Sequence, residues 1–580
     1  MAGALLRGCC NLTPGAVSPL FDTADVDAVA WAVLRRCPVQ GLVALLAGWA
    51  FRGDILGWAG LLDQSAAALL GLPGELQAHV HPAVCGERPL LDPRCVRWII
   101  REVAAATVTG EWSAPPSWEP TGLQQEATAR LLFPATLQAK VAIPPGVEIL
   151  RAVWLLHENF TLGQEPSDVL DRVMSIMATY TYGLRQPIGM LRFLDRARRV
   201  LAVSDTHPAV ADAPWPPSAL RAAFTEATGL STDQWVRGGA ALAVRYLIWV
   251  ADHRPHLATL DQLMELQLPR RLSGAFRSLV ARQLCTTVED LGQAVLAEMR
   301  RRGLDYASVG STPKDDSRAM RDRPLLSLED GNIHPLGFGL LLDRTADLPR
   351  FVVERSRTLG GDSVLRGMLG RQFEAYVTDR IAQSRNRHQV LTEDNLTKVL
   401  GAQTKRGDAI IGYTGDYLLV EISTQSLVRK IAAGDPAAIA SKCEDYHREA
   451  DQAEAMALRL RDLVRAYELP GVHSWTYLVV TDQALPTNPA LAAALRRTRP
   501  TRNPRFVCSI EEFELLLDAG IRGWSIPSLV QGWQSSQLEQ SLTGHMHSKM
   551  LRLTPLEERD TDPLDNDWLA GLPTDDPQIA

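Results

Sequence analysis

The C-terminal part of this 580-residue chain, Val364 to Gly520, predicts an α/β domain that follows a large, mostly α-helical N-terminal region. Three observations predict this. Short β-type runs alternate with helical stripes after Val364. Strands that alternate with helices imply a sheet covered by helices. Before Ser311, apolar residues recur at helical spacing.

Val26 to Leu34, Gly41 to Phe51 and Cys95 to Ala106 carry helical stripes within residues 1–112. Ser113 to Gly122, SAPPSWEPTG, is Pro-rich and predicts a linker. Residues 123–310 are again mostly helical. Ser231-Thr-Asp-Gln234 has the capping-box pattern before Trp235 to Val250. Thr287-Val-Glu-Asp290 opens another helix, where Val288, Leu291, Val295 and Met299 form one stripe and Gly303 is the stop. Ser311 to Arg323 is polar and predicts a boundary. Pro324 to Leu328 predicts a short strand, and Asp330-Gly-Asn332 a turn.

The α/β elements follow in the order α-β-β-β-α-β. Leu365, Leu369, Phe373, Tyr376 and Ile381 mark a helix. Gln389 to Thr392 is a strand. Asp408 to Tyr413 and Tyr417 to Ser423 form a hairpin around Thr414-Gly-Asp416. Asp435-Pro436 caps a helix whose stripe runs Ile439, Cys443, Tyr446, Ala450, Ala453, Ala457, Leu460 and Val464. Trp475 to Thr481 and Phe506 to Cys508 are strands, and Glu511 to Leu517 is a last helix. The expected organisation is a helical domain over 1–112, a helical middle domain over 123–310, the α/β domain over 324–530 and an acidic, disordered tail over 550–580.

A net charge of −7 argues against a globally cationic surface, so a nucleic-acid ligand would be met by a local patch. The eight cysteines form no CxxC pair or disulfide framework, which fits reduced thiols in a cytoplasmic protein. The start, MAGALLRGCCNL, lacks signal-peptide features. Val39 to Phe51 is too short to cross a bilayer, so no membrane association is expected.

Tyr417 to Ser423 is the most informative segment. Alternation puts Leu419, Glu421 and Ser423 on one face. A carboxylate inside an apolar strand is costly unless it is paired or binds a cation. Asp408 opens the partner strand. Two carboxylates so placed can share Mg²⁺, which prefers one or two protein carboxylates plus waters and phosphate oxygens.

Glu374 on the helix, Gly407-Asp408-Ala-Ile-Ile411 on one strand and Leu419-Val-Glu421-Ile-Ser423 on the next, followed by a long helix and a strand, resemble the PD-(D/E)XK nuclease superfamily. The resemblance covers about a quarter of the chain. It implies a catalytic set of Glu374, Asp408 and Glu421, with Asp408 and Glu421 holding Mg²⁺ or Mn²⁺. The sequence departs from the family at Ser423, where a lysine belongs. Lys405, Lys430 and Lys442 are nearby, and Lys442 lies beside the helix seam, where it can face the sheet end. The resemblance therefore implies metal-dependent hydrolysis of DNA or RNA, assisted by a displaced lysine such as Lys442. The alternatives are an inactive binding or scaffold protein on the same fold and a helical-repeat interaction protein. Protein partners would be met by the helical region.

Arg496, Arg497, Arg499 and Arg502, with Arg505 beyond them, form a basic cluster able to grip phosphates or to line a solvated loop. His79, His81, Cys85 and Cys95 have no usual zinc spacing, and Cys95 belongs to a core stripe.

Overall fold

The computed structural model describes residues 23–60, 93–112, 190–211, 213–251, 270–314, 318–329, 331–356, 362–401, 407–424, 435–482, 489–500 and 505–536, with a few isolated positions between them. The linker, the acidic tail and His79, His81 and Cys85 lie outside the described residues. The described chain is mostly helical, with a mixed five-stranded sheet in its C-terminal part. No helix among the described residues is long and apolar enough to cross a membrane.

Among the described residues, ten helices precede the larger sheet's domain: α1 (Thr23–Leu34), α2 (Val39–Gly60), α3 (Pro93–Thr109), α4 (Met190–Leu201), α5 (Pro217–Thr228), α6 (Thr232–Ala251), α7 (Arg270–Gln283), α8 (Val288–Arg301), α9 (Arg318–Asp322) and α10 (Phe338–Ser356). Their starts follow local chemistry. Ser231 and Gln234 exchange side-chain and backbone hydrogen bonds at 2.9 and 3.1 Å, which closes the capping box of α6. The Thr287 hydroxyl accepts from the Asp290 amide, and Val288, Leu291, Val295 and Met299 of α8 are all buried. Cys95 is buried in the same core.

The middle segment is not wholly helical. β1 (Ala258–Thr259) and β2 (Cys285–Thr286) join β3 (Leu325–Ser327) and β4 (Asn332–Pro335) in a small sheet of order β1-β4-β3-β2. Two-residue strands carry no visible period, so their pairing depends on partners some 40 to 75 residues away. Nor is Ser311 to Arg323 a bare boundary. Thr312 is buried, and its amide donates to Glu102 at 2.6 Å.

The C-terminal part comprises α11 (Asp362–Ala382), β5 (Gln389–Thr392), α12 (Glu393–Leu400), β6 (Ala409–Tyr413), β7 (Asp416–Ser423), α13 (Pro436–Ala457), α14 (Leu460–Ala466), β8 (Ser474–Thr481), α15 (Pro489–Thr498), β9 (Val507–Ser509), α16 (Ile510–Ile521) and α17 (Ile526–Ser536). The strand order is β5-β6-β7-β8-β9, antiparallel through β7 and parallel from β7 to β9. The hairpin turns at Thr414 and Gly415, both with positive φ, which matches the right-handed twist of the flanking strands.

The long stripe from Ile439 to Val464 lies on two helices rather than one. The chain breaks at Leu458 and Arg459, where the Arg459 amide reaches back only three residues, to Met456. The tightened turn keeps Leu460 and Val464 buried while Leu458 points outward.

Helix α11 spans both parts of the molecule. Leu365 and Met368 pack in the helical core, whereas Phe373, Tyr376, Val377 and Ile381 pack against the sheet. Beside it, Arg196 of α4 bonds Glu511 at 2.9 Å and Glu514 at 3.0 Å on α16. The Tyr376 hydroxyl donates to Glu514 at 2.6 Å.

Candidate metal centre

Ala409 pairs with Val420 across the hairpin. The regular pairing ends there; the Asp408 amide donates to the Val420 carbonyl, one residue off that register, which brings Asp408 beside Glu421 so that the two carboxyls act on each other. Asp408 is half-buried, and its Oδ2 accepts from the Ile422 amide at 2.6 Å. The first acid is therefore held by the backbone of the strand that carries the second.

Glu421 is 6% exposed, and its Oε2 is sealed from solvent without a hydrogen-bond partner. Gly407 makes room for it. A Cβ at position 407 would lie 3.3 Å from Glu421 Oε2, 2.9 Å from the Val420 carbonyl oxygen and 2.8 Å from Met456 Cε. Burial raises Asp408 to about 7, and Glu374, Glu393 and Glu449 add to this against the Ile422 hydrogen bond. Burial, then the field of Asp408 and of Glu449, Glu374 and Glu393, raises Glu421 to about 10. Two acids that oppose each other in a poorly solvated place retain a proton at neutral pH.

Glu374 is half-buried on α11. Burial and Glu393 raise its carboxyl, and Arg371 opposes them. Its helix closes on the end of β7 at Gly370, where an added Cβ would stand 3.1 Å from Thr424 Oγ1. Among the described residues no three His, Cys, Asp or Glu side chains are grouped so that they could hold one metal ion. The pair Asp408 and Glu421 is thus the donor set to consider. It fits a hard divalent cation: it offers two carboxylates, one buried oxygen has no donor facing it, and a cation would relieve the repulsion.

Ser423 is 5% exposed and shares the face of Glu421, as strand alternation requires. It pairs with Thr481 on β8, whose Oγ1 is also buried without a partner. Lys442 is 4% exposed on α13, with its ammonium 5.2 Å from the Tyr446 ring centroid. Burial lowers it to about 8 against the fields of Asp445 and Glu449. Lys442 and Glu449 share a helix face two turns apart, about 10 Å along the axis. Glu449 acts on both site acids and on Lys442. Lys405 and Lys430 lie outside the described residues.

Arg496 and Arg497 are exposed at the end of α15. Arg499 bonds Asp451 at 2.9 Å and lies 3.9 Å from Glu444, and Arg505 bonds Asp451 at 2.7 Å and lies 3.2 Å from Glu454. Two of the cluster's guanidiniums are thus turned onto the acids of α13. Arg502 lies outside the described residues.

Sequence reasoning missed Glu393 and Glu449. Glu393 opens α12, whose capping box between Thr392 and Asn395 was legible as a helix start. Glu449 follows Tyr446 by three residues, on the edge of the seam, and only the packing of α13 on β7 brings it to the acids. No protein-family model, curated protein or solved structure matches this chain.

Proposed function

We propose that the C-terminal domain is a metal-dependent nuclease of the PD-(D/E)XK type, hydrolysing phosphodiester bonds of DNA or RNA. The observation that carries this reading is the buried Glu421 carboxylate, with an unpartnered oxygen, set across the hairpin from Asp408. Such a pair stays in an apolar sheet either by holding a proton or by facing a cation, and a divalent ion is what the two carboxylates would take up once ionised. Asp408 and Glu421 would hold Mg²⁺ or Mn²⁺. The ion supplies Lewis-acid polarisation of a bound phosphate and lowers the pKa of a bound water.

The remaining roles belong to the chain's own groups. The Ile422 amide fixes the Asp408 carboxylate. Glu374, with its raised pKa, exchanges a proton with the attacking water. Lys442 supplies the positive charge that Ser423 does not, and its depressed pKa lets it give up a proton near neutral pH. The exposed Arg496 and Arg497 give a salt-sensitive contact to the polynucleotide backbone.

The purified full chain should cut DNA or RNA in Mg²⁺ or Mn²⁺, and Asp408→Ala and Glu421→Ala should each abolish cutting. Cleavage that survives both changes rules the proposal out. Ser423, buried where the family has lysine, favours a second reading: a nuclease fold that binds without cutting. Titration with Mn²⁺ separates the two. Binding that depends on Asp408 and Glu421 supports the enzyme, and no binding at those acids supports the scaffold.

A further inference from the structure

The hydroxyls of β8 are not all satisfied. Thr476 bonds Gln534 of α17 at 2.5 Å, and Ser474 bonds Asp416 at 2.6 Å. Thr481, at the carboxyl end of the same strand, is 0% exposed, and its Oγ1 has no hydrogen-bond partner. A buried hydroxyl without a partner is destabilising. The register says which groups it neighbours. Glu421 pairs with Val479 and Ser423 with Thr481, so Thr481 stands beside Ser423 and diagonally from Glu421. Paired residues share a face, so all three side chains lie on one side of the sheet. Met456 of α13 lies on that side, against Gly407 and Glu421, whereas Thr476 meets α17 on the other.

The two acids of the centre are not held alike. Asp408 Oδ2 accepts from the Ile422 amide. Glu421 Oε2 has no donor, and Asp408, Glu449, Glu374 and Glu393, the charged groups that act on it, are all acids. A carboxylate that binds a metal in a dry place needs a donor on its remaining lone pairs, which fixes its direction. Thr481 Oγ1 is a donor without an acceptor on the same face.

We propose that Thr481 is the positioning residue of Glu421: its hydroxyl donates to a water shared with Ser423, and that water donates to the Glu421 carboxylate and fixes its direction toward the cation. This role rests on the metal-centre reading above. Strands about 4.8 Å apart that rise about 3.3 Å per residue set the Cβ atoms of Glu421 and Thr481 about 8 Å apart. The length of a glutamate and a water with two hydrogen bonds of about 2.8 Å span that gap. Thr481, Ser423 and Glu421 together give the water about the usual number of polar partners for a buried one.

The test is Mn²⁺ titration of the full chain, paired with thermal unfolding in EDTA, for Thr481→Val and Thr481→Ser. Valine keeps the shape of threonine without the hydroxyl, and serine keeps the hydroxyl. Thr481→Val should weaken Mn²⁺ binding about tenfold or more, the usual effect of losing a group that orients a metal ligand. Its unfolding midpoint in EDTA should equal or exceed the parent's, because a buried hydroxyl without a partner has been removed. Thr481→Ser should bind Mn²⁺ as the parent does. Parent-like affinity in Thr481→Val overturns the proposal. So does a lower midpoint of that variant in EDTA, which would mean that the hydroxyl serves the fold. A parent chain that binds no Mn²⁺ at Asp408 and Glu421 rules out the metal centre itself, and the role of Thr481 falls with it.

Discussion

Glu421→Gln should stabilise the metal-free protein at alkaline pH while it destroys metal binding. The native carboxyl is 6% exposed, has one oxygen without a partner and faces the charge of Asp408. Its pKa is raised in the folded state, so between about 4.5 and 10 the folded chain holds a proton that the unfolded chain has lost. Stability therefore falls as pH rises through that window. Keeping the proton costs about 1.4 kcal/mol for each unit of pH above 4.5. At pH 8, with the proton shared with Asp408, the penalty is roughly 2–4 kcal/mol. Glutamine keeps the shape without the charge and removes most of it. At about 2–4 °C per kcal/mol, the unfolding midpoint should rise by roughly 5–15 °C in EDTA at pH 8 and change little at pH 4.5. Circular dichroism melts at the two pH values measure this. Saturating Mn²⁺, at about 100 times its dissociation constant, should stabilise the unsubstituted protein by about 2.7 kcal/mol and leave the glutamine variant unmoved. A variant less stable than the parent at pH 8 in EDTA would refute the reasoning, because it would mean that the native carboxylate is satisfied by the fold.

Three further outcomes follow from the same geometry. Gly407→Ala drives a Cβ against Met456, the Val420 carbonyl and Glu421, and should cost about 1–3 kcal/mol in chemical denaturation. Lys442→Met keeps side-chain volume and should lower cleavage about 100-fold; in the parent the rate should fall as pH rises through about 8, where the ammonium is lost, and that limb should vanish in the variant. Arg196→Met leaves the 1% exposed Glu514 without its cation and should cost about 3–5 kcal/mol, read from urea unfolding.

Much of the fold was legible in the order of residues because its signals are local. The helix caps at Ser231, Thr287 and Asp435 are set by side chains three residues or fewer from the backbone groups they serve. The hairpin was legible because Thr414 and Gly415 suit a two-residue turn between apolar runs. Alternation alone put Glu421 and Ser423 on one face. The break at Leu458 was not legible, since the apolar spacing continues through it. The small sheet was not legible either, since strands of two residues have no period of their own.

The sequence by itself determined the candidate chemistry: two acids on neighbouring strands, a third on the preceding helix and a serine on the same face as the second acid. Strand alternation and hairpin register follow from local geometry, so residue order was enough. Only the tertiary structure decided the electrostatics. It seals Glu421 Oε2 behind Gly407 and Met456, and it brings Glu449 and Glu393 from two other helices to bear on the pair. It also turns Arg499 and Arg505 onto the acids of α13. Burial and through-space fields depend on residues distant along the chain, and no local pattern encodes them.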